Sequence, residues 1–132
     1  MAVAVATVKK WIEAQPGAVA APYSARKGSP PVSIMYKVAN KIFAILALRG
    51  DQSVILKCDP HLAPMLREQY TGVGHRSHLD RRLWINVTLD ADVPAGQIKR
   101  WISMSHDLVC AKLTAKEKAA LPGRNATRGR VA

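Results

Sequence analysis

Two pairs of residues in this chain have the spacing of metal ligands: Cys58-x-x-His61 and His75-x-x-His78. Tetrahedral zinc takes Cys and His at such intervals. A structural site usually gathers more than one thiolate, however, and here Cys58 closes a strand-like run while both later histidines fall in a loop. The chain is therefore expected to need no metal and no other cofactor. The same residues also suggest a nucleophile and its base, Cys58 or Cys110 with His61 or His106. Cys110 and His106 stand four apart, one helical turn, so they can touch. Such a pair needs a base in reach and a lowered thiol pKa. No G-x-S-x-G, P-loop or G-x-G-x-x-G motif accompanies it, so the reading is of a chain that is not an enzyme.

The basic side chains are the better functional candidates. Arg76, Arg81 and Arg82 cluster with His75 and His78 just before an apolar run, and Asp80 is the one acid among them. Arginine forks meet phosphate oxygens bidentately, so a tight loop of this kind can rest on a nucleic-acid backbone. Lys57 precedes Cys58, and Arg124, Arg128 and Arg130 stud the last stretch of the chain. Across all 132 residues, 20 Lys and Arg face 9 Asp and Glu, a formal charge of +11. That excess favours polyanionic partners. Only seven aromatic residues are present (three Trp, three Tyr, one Phe), which argues against a single-strand binder built on stacked rings.

These side chains must be carried by ordinary elements. Val5, Val8, Trp11 and Ile12 recur at helical spacing, predicting a helix over 3–14 that stops at Pro16-Gly17. Residues 16–31, rich in Pro, Gly and Ala, read as one long loop. Runs over 32–38, 41–48 and 53–58 predict a three-stranded antiparallel meander. Pro60 and Asp59 suggest a helix over 60–70, with Leu62, Leu66 and Tyr70 inward. Pro64 should kink that helix or delay its start. A strand over 83–89 with Trp84 in the core follows. Asp92 and Pro94 then open a helix over 95–112 whose stripe is Ile98, Trp101, Ile102, Ser105, Leu108 and Val109. A short helix is expected near 114–121, and 122–132 reads as a basic tail with too little apolar content to pack.

Residues 1–121 thus form one domain, α+β, with a single antiparallel sheet and the N- and C-terminal helices packed on one face. The longest apolar run, 42–48, is too short to span a bilayer, and the first residues lack the basic start of a secretory signal. Two cysteines without such a signal fit a reducing compartment. A cytoplasmic protein without membrane attachment is expected.

Several segments resemble one family in order: Lys57-Cys58-Asp59-Pro60, Leu66-Arg67-Glu68-Gln69-Tyr70, His78-Leu79-Asp80-Arg81-Arg82-Leu83-Trp84, Asp90, Asp92-Val93-Pro94, Ser105-His106-Asp107-Leu108-Val109 and Ala111-Lys112-Leu113. They resemble the signature of the MmcQ/YjbR family from Val32 to Leu113. The resemblance implies a frataxin-like (CyaY-like) fold and a double-wing DNA-binding domain in which Arg81 and Arg82 match basic positions. Ser77, Asp80 and Leu83 depart from the usual aromatic, Asn and His. The expected partner is DNA, contacted at phosphates through Arg76, Arg81, Arg82, His78, Lys57, Arg124, Arg128 and Arg130 with little base readout. The alternative is a protein-interaction or small-ligand module whose basic surface meets an acidic partner.

Overall fold

The computed structural model describes residues 3–75 and 79–119. Helix α1 (Val5–Glu13) leads into β1 (Val19–Tyr23), β2 (Ser33–Val38), β3 (Lys41–Ala47) and β4 (Ser53–Lys57). Then come α2 (Ala63–Gln69), the two-residue β5 (Val73–Gly74), β6 (Trp84–Thr88), the long α3 (Ala95–Cys110) and α4 (Ala115–Ala119). The strands form one six-stranded sheet in the order β1-β2-β3-β4-β6-β5, antiparallel throughout. The α+β architecture and the central meander are as the sequence predicts.

Alternation decides which side of each strand is closed. In β2, Ile34, Tyr36 and Val38 are buried while Ser33, Met35 and Lys37 are half-exposed. Ile34 and Tyr36 pair with Leu46 and Ala44, which pair in turn with Val54 and Leu56, and these with Val87 and Ile85. Opposed residues in a sheet share a face, so these side chains form one apolar floor. Helices α1 and α3 cover it with Val8, Ile12, Ile98, Trp101, Ile102 and Val109. The β2–β3 turn is Ala39-Asn40 with both φ positive, the two-residue geometry whose twist suits a hairpin.

Three expectations are corrected, and one short strand is added. The long loop over 16–31 contains β1, a fully exposed edge strand paired to β2 from Val19↔Lys37 to Tyr23↔Ser33. Its sequence has no buried alternation, because the free edge of β2 and not a core face recruits it. Two-residue β5 is likewise invisible to periodicity. Asp92 does not cap α3, which begins after Pro94 without a side-chain cap. Its carboxylate accepts instead from the backbone N–H of Thr71 (2.8 Å) and Gly72 (2.7 Å). Those bonds, Gly72 first, lower the Asp92 pKa. On α3, Leu108 is half-buried, and His106 and Cys110 take the sealed positions.

Helix α2 starts at Ala63, so Pro64 lies in the first turn where its missing N–H costs nothing. Leu66 is buried, and Leu62 and Tyr70 pack half-buried against the core, Tyr70 edge-on to Trp101 with centroids 5.6 Å apart. Thr114 and Glu117 cap α4 reciprocally, Glu117 N–H to Thr114 Oγ1 and Thr114 N–H to Glu117 Oε1.

Candidate nucleic-acid interface

Lys57 ends β4 directly opposite Trp84, the first residue of β6. The pair lies on the face of the sheet away from the helices, since Leu56 and Ile85 point into the core. Trp84 is thus half-buried on the open face, contrary to the core position expected for it. Lys57 Nζ stands 5.7 Å from its ring centroid, a cation–π contact. Just before Trp84, the turn over 79–83 carries Arg81 and Arg82, both exposed. The structure therefore brings Lys57, Arg81 and Arg82 to one corner.

Arg67, in the last turn of α2, holds that corner from behind. Its Nη2 donates to the carbonyls of Arg81 and Trp84, the latter at 3.0 Å. The turn also folds on itself through Leu83 N–H and Trp84 N–H to the Asp80 carbonyl, each 3.0 Å. Sequence reasoning passed over Arg67 as a functional residue; the clue was a lone arginine on the side of α2 that follows Ala63 and Leu66 inward. Arg67, Arg81 and Arg82 line a groove of about 480 Å³ with Pro60, Pro64 and Glu68.

The electrostatics divide the two turn arginines. Asp80 accepts from Arg82 Nη2 at 3.0 Å, Nε at 3.2 Å and its backbone N–H at 2.9 Å. The Arg82 side chain, then its amide, pull the Asp80 pKa down, and Asp80 raises that of Arg82. Arg82 is held in a fixed pose by its own neighbour. No described acid forms an ion pair with Arg81. Arg76 and His78 lie outside the described residues, as do Arg124, Arg128 and Arg130 with the segment 120–132.

The thiols and histidines are placed apart from this corner. Cys58 is buried, and burial, then the nearby Asp59 charge, push its thiol up to about 11. His61 is exposed on the following turn, and His75 Nε2 lies 2.9 Å from the Leu79 carbonyl. Cys110 Sγ does touch His106, 3.7 Å from either ring nitrogen, but both are sealed inside. His106 Nε2 reaches the Pro16 carbonyl at 2.7 Å and its ring meets Phe43 edge-on. Next to it, the buried Ser105 hydroxyl donates to the Phe43 carbonyl and accepts from Lys57 N–H at 2.8 Å. Ser105 and His106 thus tie α3 to the sheet and to the end of α1. Among the described residues, no group of three or more His, Cys, Asp or Glu converges as metal ligands would. No described helix is long and apolar enough to cross a membrane.

The folded chain is similar to the crystal structure of Deinococcus radiodurans protein DR2400, described as carrying the domain DUF419, with a TM-score of 0.73 at 23% identity over 87% of this chain and 85% of that one. A protein from Pseudomonas syringae superposes with a TM-score of 0.55 at 24% identity, over 67% of this chain and 86% of the other. At such identities the likeness is one of fold. In sequence, the chain is 34% identical over 71 residues to the uncharacterized protein YjbR of Escherichia coli K12, and equally to that of Escherichia coli O157:H7. The match covers 53% of this chain and 60% of those relatives. The YjbR family profile matches residues 9–108, taking in the second half of α1, the whole sheet and most of α3, and the chain belongs to the YjbR family.

Proposed function

We propose that the chain is a cytoplasmic DNA-contacting domain, without catalytic activity, that meets duplex phosphates at the Arg81–Arg82 turn with little base-specific readout. The observation that carries this reading is the Arg67 clamp, which pins the turn by its carbonyls and leaves two arginine side chains exposed beside Lys57. A turn fixed in advance loses little entropy when its guanidinium groups bind phosphate oxygens. Arg81 is the principal contact. Arg82 adds a fork oriented by Asp80, at the cost of one local negative charge. Arg124, Arg128 and Arg130 supply further charge that attracts any polyanion.

Binding rather than catalysis fits the chemistry of the thiols, since a buried Cys58 whose pKa is raised holds little thiolate at neutral pH. Titration of duplex DNA at several salt concentrations tests the reading. Replacing Arg81 and Arg82 by Ala should weaken binding equally for unrelated sequences and lower the slope of log affinity against log salt by roughly 1 to 2. An unchanged slope, or a parent protein with no salt-dependent binding, removes the reading.

A further inference from the structure

We propose that the groove between α2 and the Arg81–Arg82 turn is a binding site for a nucleoside monophosphate whose base carries an amino group, with cytidine the base that suits it best. Its volume of about 480 Å³ lies in the range of small-molecule sites and exceeds what a bare phosphate fills. Pro64 and Glu68 stand four apart on α2, so both look out from one flank of the helix. Pro60 lies in the turn that the Leu62 and Ala63 N–H groups close onto the Asp59 carbonyl. Arg81 and Arg82 line the other side, and Arg67 ties the two sides together through the Arg81 and Trp84 carbonyls. Arg81 and Glu68 form no ion pair with any described residue, nor with each other. The groove thus offers a free cation and a free acceptor.

Charge, shape and hydrogen bonding together choose the ligand. Three arginines against one glutamate give the walls a formal +2, which suits a phosphomonoester of nearly two negative charges and not a zwitterionic amino acid. Arginine forks match phosphate oxygens. The exposed rings of Pro60 and Pro64 form an apolar wall that a sugar phosphate would leave wet, whereas a flat base covers it. Beside that wall the ionised Glu68 carboxylate offers only acceptor oxygens. A carboxylate accepts from the exocyclic amino group of cytosine. Uracil carries a carbonyl in its place, and two acceptors repel. The inference rests on the phosphate-binding role proposed for Arg81 and adds to it a seat for one base.

The test is calorimetric titration of the full chain with cytidine monophosphate, uridine monophosphate, ribose phosphate and free alanine, with amide NMR to locate the site. The cytidine nucleotide should bind most tightly and the uridine nucleotide roughly tenfold more weakly. The shifted amides should include those of Glu68 and Arg81. Glu68→Gln, whose amide both donates and accepts, should bring the two nucleotides within about threefold of each other. Arg81→Ala should weaken both by roughly tenfold. Amide spectra unchanged away from the substitutions will certify that both variants fold. Equal binding of the two nucleotides by the parent, ribose phosphate or alanine matching the cytidine nucleotide, or shifts confined to other surfaces overturns the proposal. A duplex ending in one unpaired, phosphorylated deoxycytidine separates the two sources of such a ligand. Tighter binding than to the blunt duplex places a strand end in the groove, and equal binding leaves the groove to the free nucleotide. A parent that binds duplex but ignores nucleotides sinks this inference alone, whereas one that binds the cytidine nucleotide but ignores duplex sinks only the duplex reading.

Discussion

On the helix-covered face of the sheet, Tyr36, Leu46, Leu56, Ile85 and Val87 are sealed. One residue along the same strands, Met35, Ile45, Trp84 and Asn86 keep contact with solvent. The covered side is finished: apolar groups interlock with α1 and α3, and its few polar groups, Ser105 and the Tyr36 hydroxyl bonded to Glu13, are paired. The open side mixes aliphatic groups with lysines, and its Asn86 Oδ1 has no hydrogen-bond partner among the described residues. A surface sealed by packing must pair its own polar groups, whereas one that meets solvent has water to pair with.

The comparison is most exposed to cavity-making substitutions. Leu56→Ala should cost about 2–5 kcal/mol in denaturant unfolding, because the covered floor cannot collapse around the missing atoms. If it costs no more than a change on the open face, the division of roles is wrong. Ser105→Ala should cost about 1–3 kcal/mol, since it leaves the Phe43 carbonyl and the Lys57 N–H unpaired in the interior. Gly72→Ala should cost a similar amount, about 1–3 kcal/mol, because a Cβ there would lie 2.7 Å from the Ala91 Cβ and 3.0 Å from Asp92 Oδ1. On the open face Met35→Ser should change stability by no more than about 0.5 kcal/mol.

Titration sharpens the same contrast. Asp92, held by the amides of Gly72 and Thr71, and Glu13, held by Lys9 and the Tyr36 hydroxyl, both have lowered pKa values. Each binds a proton less readily folded than unfolded, so its contribution is complete above the ordinary carboxylate range and is lost as pH falls through the lowered folded value. Unfolding midpoints should drop below about pH 4, and Asp92→Asn should flatten that drop. Cys58 tests the seal of the covered side: with its thiol raised to about 11, alkylation at mildly alkaline pH should be slow in the native protein and fast in denaturant. Rapid native alkylation would show that the strand end opens.

Much of this molecule is legible from short-range pattern. Alternation in 33–38, the hairpin at Ala39-Asn40, the delayed start of the helix at Pro64 and the stripe of Ile98, Trp101 and Ile102 are all written locally, because strand and helix periods show which side must be dry. The turn arginines were legible as a cluster of like charge. Trp84 was misjudged because an aromatic in a strand signals burial on one face or the other, and sequence does not say which face the helices will cover. Edge strand β1 escaped notice because its pairing depends on the exposed rim of β2 and not on its own residues.

The sequence by itself thus determined the helices, the β2–β3–β4 meander, β6, their order and the family, since each follows from residue types a few positions apart. Only the tertiary structure decided that Arg67 clamps the Arg81–Arg82 turn, that Lys57 meets Trp84 and that Asp92 serves the loop at 71–72. Those partners are 14, 17, 20 and 21 residues apart or joined only by strand register, and such contacts exist only once the sheet has closed beneath its helices.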